Sequence, residues 1–317
     1  MSLAESVAVE LVPVEVTGVS VIIPTKDRPE LLARAVRAVL AQEFDGPIEC
    51  IVVFDQEQTH LPEVPTGPGR TLRVLRNERT PGLAGTRNTG YLRASHTIVA
   101  ACDDDDEWLP GKLTAQLDLL DRYPQASLVA TGIVIHFSGR DIPRQAQDEV
   151  LTFRDFLRDR RMEVHPSTYL ARRSAVVDGF GLVEEEIPGG YAEDYDWLLR
   201  AAKTGPVVCV RDPLVRVNWH NGSFFTSRWE MIDQALTWLL RRFPEFAGER
   251  RGLGRVQGQL AFANAALGKR RKALGLAARA LRNHPTNRQA LASLLVTSHL
   301  VTPDQVIGLG RRFGRGV

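Results

Sequence analysis

Short β-branched apolar runs alternate with amphipathic stretches through the first third of the chain, and this alternation constrains the fold more than any other feature. VSVIIP (19–24) ends in proline, and RPELLARAVRAVLAQ (28–42) then sets Leu32, Val36, Val39 and Leu40 at helical spacing. IECIVVF (48–54), TLRVLRN (71–77) and TIVAAC (97–102) read as buried strands, with the Gly-rich TPGLAGTRNTG before the last of them. LPGKLTAQLDLLDRY predicts a helix with Pro110 in its first turn. Strand–helix alternation of this kind builds a parallel sheet covered by helices on both faces. Ligands of such sheets collect beyond the carboxyl ends of the strands.

With 317 residues there is room for one large α/β domain and a smaller appendage. The pattern becomes mixed after about residue 127, where SLVATGIVIHF and STYLARRSAV read as strands. YAEDYDWLLRAAKTG then predicts a helix ending in glycine, and PVVCVRD a further strand. From about residue 246 the chain is Ala/Leu-rich and helical, broken at Gly268 and at His284-Pro285. The expected organisation is an N-terminal extension (1–17), an α/β domain (18–245) and a basic α-helical region (246–317).

The net charge of +2 conceals a split. Residues 241–317 hold 15 Lys/Arg against 3 Asp/Glu, net +12, so the first 240 hold 25 basic and 35 acidic residues, net −10. No apolar run approaches the roughly 18 residues that cross a bilayer. MSLAESVAVELVPVEV lacks the basic start of a secretory signal. Three cysteines without a C-x-x-C unit support neither a disulfide framework nor a thiolate zinc site, and a reducing cytoplasm is the expected location.

Five segments could carry chemistry. CDDDDEW (102–108) packs four aspartates and a glutamate against a strand end. In an extended segment Asp103 and Asp105 project to one side and suit Mg²⁺ or Mn²⁺; a solvated acidic turn before a helix is the alternative. In TPGLAGTRNTG the glycines permit close backbone approach, and Arg87 and Asn88 offer a cation and an amide at a helix start; an ordinary turn would read the same. Asp55 and the Thr25–Arg28 stretch end neighbouring strands, where polar residues hold a nucleoside or simply make turns. Glu193, Asp194 and Asp196 open a helix, as a general base or as plain N-terminal charge. His220, in VNWHNGS, is a ligand or a surface histidine.

Taken in order, PTKDRPELLARAVRAVLAQ, the strand-end Asp55, GLAGTRNTG, CDDDDEWLPGKL and AEDYDWLLRA resemble a family 2 glycosyltransferase over residues 18–225. The resemblance implies the GT-A fold, a Rossmann-like mixed sheet flanked by helices, here with a C-terminal α-helical extension. It implies inverting transfer of a sugar from a nucleotide-diphosphate donor, UDP-sugar favoured, with Mn²⁺ or Mg²⁺ as cofactor. By the same resemblance Pro24, Thr25 and Arg28 match the first donor loop, Asp55 the base or ribose contact, and Arg87 and Asn88 the nucleotide site. Asp103, Asp104 and Asp105 match the D-x-D motif, with Asp103 toward the ribose and Asp105 toward the metal; Asp106 matches a further acid. Asp194 matches the general base, and His220 lies where some members place another metal or diphosphate ligand.

Two departures stand out. FDQEQ replaces the usual pair of acids at the second strand end, with Phe54 in place of one of them. The Q-x-x-R-W of processive synthases is represented only by TSRW, so addition of one sugar is expected rather than polymer extrusion. Two rivals remain: a catalytically silent nucleotide-binding scaffold with a helical interaction tail, and a sugar nucleotidyltransferase. The latter would carry its Gly-rich loop after the first strand, where this chain reads PTKDRPE. Expected partners are the nucleotide-sugar donor and a glycan, lipid-linked or small-molecule acceptor. The basic region suggests peripheral contact with the anionic inner face of a membrane, or else solvated helix faces or a homodimer contact. It lacks interleaved aromatics, which argues against nucleic acid.

Overall fold

The computed structural model describes residues 18–60, 62–219 and 228–312, so the 1–17 extension and His220 lie outside the described residues. Two compact units emerge, each discontinuous in sequence. The first runs to Leu151 and adds Met162–Leu182 and Ala201–Trp219; the second takes Thr152–Arg161, Val183–Arg200 and the chain from His220 onward.

In the first unit β1 (Val19–Thr25), α1 (Pro29–Leu40), β2 (Ile48–Phe54), β3 (Arg70–Arg76), α2 (Leu83–Arg93) and β4 (Ile98–Ala101) follow the alternation read from the sequence. After them come β5 (Glu107–Trp108), α3 (Lys112–Arg122), β6 (Leu128–Phe137), β7 (Arg140–Arg144), β8 (Val150–Leu151), β9 (Leu170–Arg172) and β10 (Val207–Asn218). The sheet order is β3-β2-β1-β4-β9-β6-β10-β5, with β7 and β8 paired to its side. β3, β2, β1 and β4 are parallel to one another, whereas β9 runs antiparallel to both β4 and β6. The sheet is therefore mixed.

Every residue of β1 and β2 is buried, which is why their sequences are unbroken apolar runs. α1 starts at Pro29, whose missing N–H costs nothing in a first turn. Its Leu32, Ala35, Val36, Val39 and Leu40 are buried on one face. Each such Leu or Val contributes about 1.5–3 kcal/mol when fully buried. β10 accommodates Pro213 by slipping register on both sides of it, as a strand must where a residue has no N–H to donate.

Register aligns the strand ends. Thr25 lies opposite Phe54, and Ile22 opposite Ala101, so β1, β2 and β4 finish along one edge of the sheet. The acidic segment leaves that edge, but α3 begins later than its sequence suggests. Gly111 takes a left-handed conformation (φ 80°), Lys112 opens the helix, and Pro110 precedes it. Glu107 and Trp108 form a short strand against Arg216 and Val215.

The second unit holds α4 (Phe153–Arg158), α5 (Glu193–Thr204, up to Arg200), α6 (Trp229–Arg242), α7 (Arg250–Ala266), α8 (Arg270–Asn283), α9 (Arg288–Thr297) and α10 (Pro303–Arg312). The breaks expected at Gly268 and His284 separate α7, α8 and α9. Small residues let these helices approach: Ala261, Ala277, Ala280 and Ala290 form one buried cluster. A Cβ on Gly258 would sit 2.2 Å from Asn287 Oδ1, and one on Gly252 would sit 1.9 Å from the Leu157 carbonyl oxygen. Asn287 caps α9 by accepting from the Ala290 N–H at 2.7 Å and donates to the Gly254 carbonyl at 3.0 Å.

Candidate active site

The sheet edge where β1, β2 and β4 end gathers most of the sequence-predicted residues. Asp104 accepts from the Thr25 hydroxyl at 2.8 Å and from Arg28 Nη1 at 3.1 Å. The same Arg28 nitrogen lies 3.0 Å from Asp105 Oδ2. Arg87, 4% exposed, donates to Asp103 Oδ1 at 2.5 Å. Two guanidinium groups thus hold three consecutive carboxylates, and self-repulsion within the acidic loop is offset by Arg28 just before α1 and Arg87 of α2. Burial works against the Arg28 charge, but Asp104 and Asp105 outweigh it and raise its pKa. Burial also raises the pKa of Asp104, against the pull of Thr25 and Arg28.

Asp55 braces the turn that leads into α2. It accepts from Asn77 Nδ2 at 2.9 Å and from the Gly82 N–H at 3.1 Å, with Lys26 Nζ 3.9 Å away. Gly85 and Gly90 let α2 lie close to its surroundings: a Cβ on Gly85 would stand 2.0 Å from the Thr80 carbonyl oxygen, and one on Gly90 2.5 Å from Ile22 Cγ2 of β1. Arg87 and Asn88 are buried as a result.

Asp106 lies in the acidic loop, well before α3. It is 2% exposed, takes the Ser167 hydroxyl on Oδ2, and takes the Asn218 N–H on Oδ1 at 3.2 Å. Burial, then the charges of Asp103 and Asp105, push its pKa well up. His165 Nδ1 is 3.5 Å from the same carboxylate. Asp103, Asp106 and His165 each offer a ligand atom within 4.8 Å of the others, the set among the described residues able to hold an ion. Two carboxylates and an imidazole fit a divalent ion such as Mn²⁺. Asp105 stands in the pair with Arg28, and Asn218 Nδ2 donates to its carbonyl oxygen at 2.5 Å.

His165, Ser167 and Arg160 escaped sequence reasoning. Nothing in HPST points across 61 residues to Asp106, and only the neighbouring proline hints at a turn. In the second unit, Arg160 Nη2 donates to both oxygens of Asp194, at 2.8 and 2.6 Å. The Arg160 guanidinium lies 5.8 Å from the Tyr195 ring centroid, and Arg255 donates to the Tyr195 hydroxyl at 2.7 Å. Asp194 is thus oriented at the first turn of α5 by a cation that is itself packed on an aromatic ring.

Residues 20–176 match the family model described as Glycosyl transferase family 2. This chain carries a family 2 glycosyltransferase domain. The chain is 30% identical over 104 residues to the UDP-Glc:alpha-D-GlcNAc-diphosphoundecaprenol beta-1,3-glucosyltransferase WfgD of Escherichia coli, covering 32% of this chain and 40% of that protein. It spans about two fifths of the length of such curated relatives. S. aureus TarS 1-349 in complex with UDP-GlcNAc is similar with a TM-score of 0.56 and 17% identity, over 94% of this chain and 92% of that one. The mannosyltransferase PcManGT from Pyrobaculum calidifontis, in complex with GDP-Man and Mn2+, gives 0.54 and 18% over 89% and 79%. These likenesses show that the chain has the GT-A fold.

Proposed function

We propose that this chain transfers a single sugar from a nucleotide-diphosphate donor, with a UDP-sugar favoured, to an acceptor hydroxyl with inversion. The observation that carries the reading is the acidic loop 103–106 held at the ends of β1, β2 and β4 by Thr25, Arg28 and Arg87. Cations and carboxylates are gathered there at the carboxyl ends of the strands, where such sheets bind their ligands.

Pro24, Thr25 and Arg28 line the donor loop, Asp55 the base or ribose side, and Arg87, Asn88, Asp103 and Asp104 the nucleotide. Asp105 and His220 are the ligands we assign to Mn²⁺ or Mg²⁺, and the converging set of Asp103, Asp106 and His165 supports an ion in the same loop. Bound there, a divalent ion would offset charge building on the departing diphosphate. Asp194 takes the proton as the acceptor oxygen bonds to the anomeric carbon. The bond from that carbon to the diphosphate oxygen breaks with its electron pair, and one displacement inverts the centre. Arg160 keeps the Asp194 carboxylate oriented.

The name of the Escherichia coli relative, which acts on a diphosphoundecaprenol-linked sugar, supports a lipid-linked acceptor. The +12 of residues 241–317 would then hold the enzyme at an anionic membrane face. The test is hydrolysis of a panel of UDP-, GDP- and dTDP-sugars with and without Mn²⁺. Metal-dependent release of UDP from a UDP-sugar is the expected result; no release from any donor would contradict the reading.

A further inference from the structure

Ser167 is fully buried in the turn before β9, and all of its polar groups are used. Its hydroxyl oxygen accepts from the Asp103 N–H at 3.0 Å and its hydroxyl proton goes to Asp106 Oδ2. The amide can only donate, so the serine oxygen accepts from it and its one proton is free for the Asp106 carboxylate. Its own N–H donates to His165 Nδ1 at 3.3 Å, and its carbonyl accepts from Trp108 Nε1 at 2.9 Å. Three groups of the candidate ion set and the strand that follows them therefore converge on one side chain and its backbone.

Supports around the turn reinforce it. Gln116 Nε2 donates to the Thr168 carbonyl at 2.8 Å, and the Thr168 hydroxyl to the His165 carbonyl at 2.6 Å. Gln116 Oε1 in turn accepts from buried Lys112 at 2.6 Å. The turn is fixed to α3 and to the acidic loop together.

The geometry points to Ser167 as the positioning residue of the donor site, setting Asp103, Asp106 and His165 relative to one another. The inference rests on the donor-site reading above. Removing the hydroxyl leaves the part-buried Asp103 N–H and the buried Asp106 carboxylate each one partner short. Both belong to the acidic loop that also carries Asp105, so the loop relaxes and its carboxylates lose their relative placement. Orientation by outer partners of this kind is typically worth 10–100-fold in metal affinity.

The test compares Ser167→Ala with Ser127→Ala in the full chain, by calorimetric titration of UDP in the presence of Mn²⁺ and by thermal melting. Ser127 is a control of the same chemistry, a buried hydroxyl bonded to the Gly205 and Pro206 carbonyls at 3.0 and 3.3 Å. Both variants should melt lower than wild type, but only Ser167→Ala should bind Mn²⁺-UDP on the order of tenfold or more weakly. Equal binding by Ser167→Ala and wild type would overturn the assignment of Ser167 alone. A wild-type chain that binds neither UDP, GDP nor dTDP with Mn²⁺ would overturn this inference together with the donor-site reading.

Discussion

At the scale of single residues, the acidic loop separates four aspartates that are indistinguishable in sequence. Asp103 meets Arg87, Asp104 meets Thr25 and Arg28, Asp105 shares Arg28, and Asp106 is buried against Ser167. Their roles differ because their partners do, and those partners come from distant segments. Asp105→Asn should weaken Mn²⁺-dependent UDP binding by roughly tenfold or more, measured by titration. Asp194→Asn should keep donor binding and lower turnover by about 10²–10⁴-fold, the usual contribution of a general base. Lys112 gives a prediction in pH. Burial lowers its pKa from 10.5 to about 7, countered in part by Cys102, while its amine lies 3.6 Å from the Trp108 ring centroid. Between about 7 and 10.5 the unfolded chain holds a proton that the folded chain has lost, so this group makes stability rise with pH across that window. Melting curves should show wild type gaining on Lys112→Met as pH increases; a gap constant with pH would contradict the assignment.

At the scale of elements, the strands of the parallel half were legible because burial on both faces leaves an unbroken apolar run. The apolar runs 19–24 and 48–54 mark β1 and β2 to within a residue of their bounds for that reason. Pro110 marks the start of α3 too early, because it suits a first helical turn equally well whether the helix begins there or after Gly111. Glu107 and Trp108 read as the approach to a helix, and only pairing with β10 turns them into a strand. The turn carrying His165 and Ser167 was illegible for a related cause: its purpose lies in contacts to Asp103 and Asp106, which no local spacing encodes. In the helical region, the glycines of α7 look like poor helix formers but serve close approach. Gly258→Val should lower the melting temperature, since its Cβ would strike Asn287 and overpacking typically costs about 1–3 kcal/mol. An unchanged melting temperature would show that α7 and the start of α9 can move apart without cost.

At the scale of the whole molecule, the charge split is the property that no single residue reveals. No acidic residue occurs from residue 250 to residue 303. Arg270, Arg271, Arg279 and Arg282 of α8 are exposed, and Leu274, Leu291 and Leu295 are exposed on α8 and α9. Arginines interleaved with exposed leucines suit a surface that is both anionic and apolar. Co-sedimentation should show binding to anionic vesicles that weakens with salt, and none to neutral vesicles. The central claim is one inverting displacement at a metal-dependent donor site. It is tested most directly by following UDP-glucose hydrolysis with Mn²⁺ in real time by proton NMR, water standing in for the acceptor. The α-linked donor should release β-glucose first, and Asp194→Asn should slow that release by about 10²–10⁴-fold. Release of α-glucose first, or the same rate without Mn²⁺, would contradict the account.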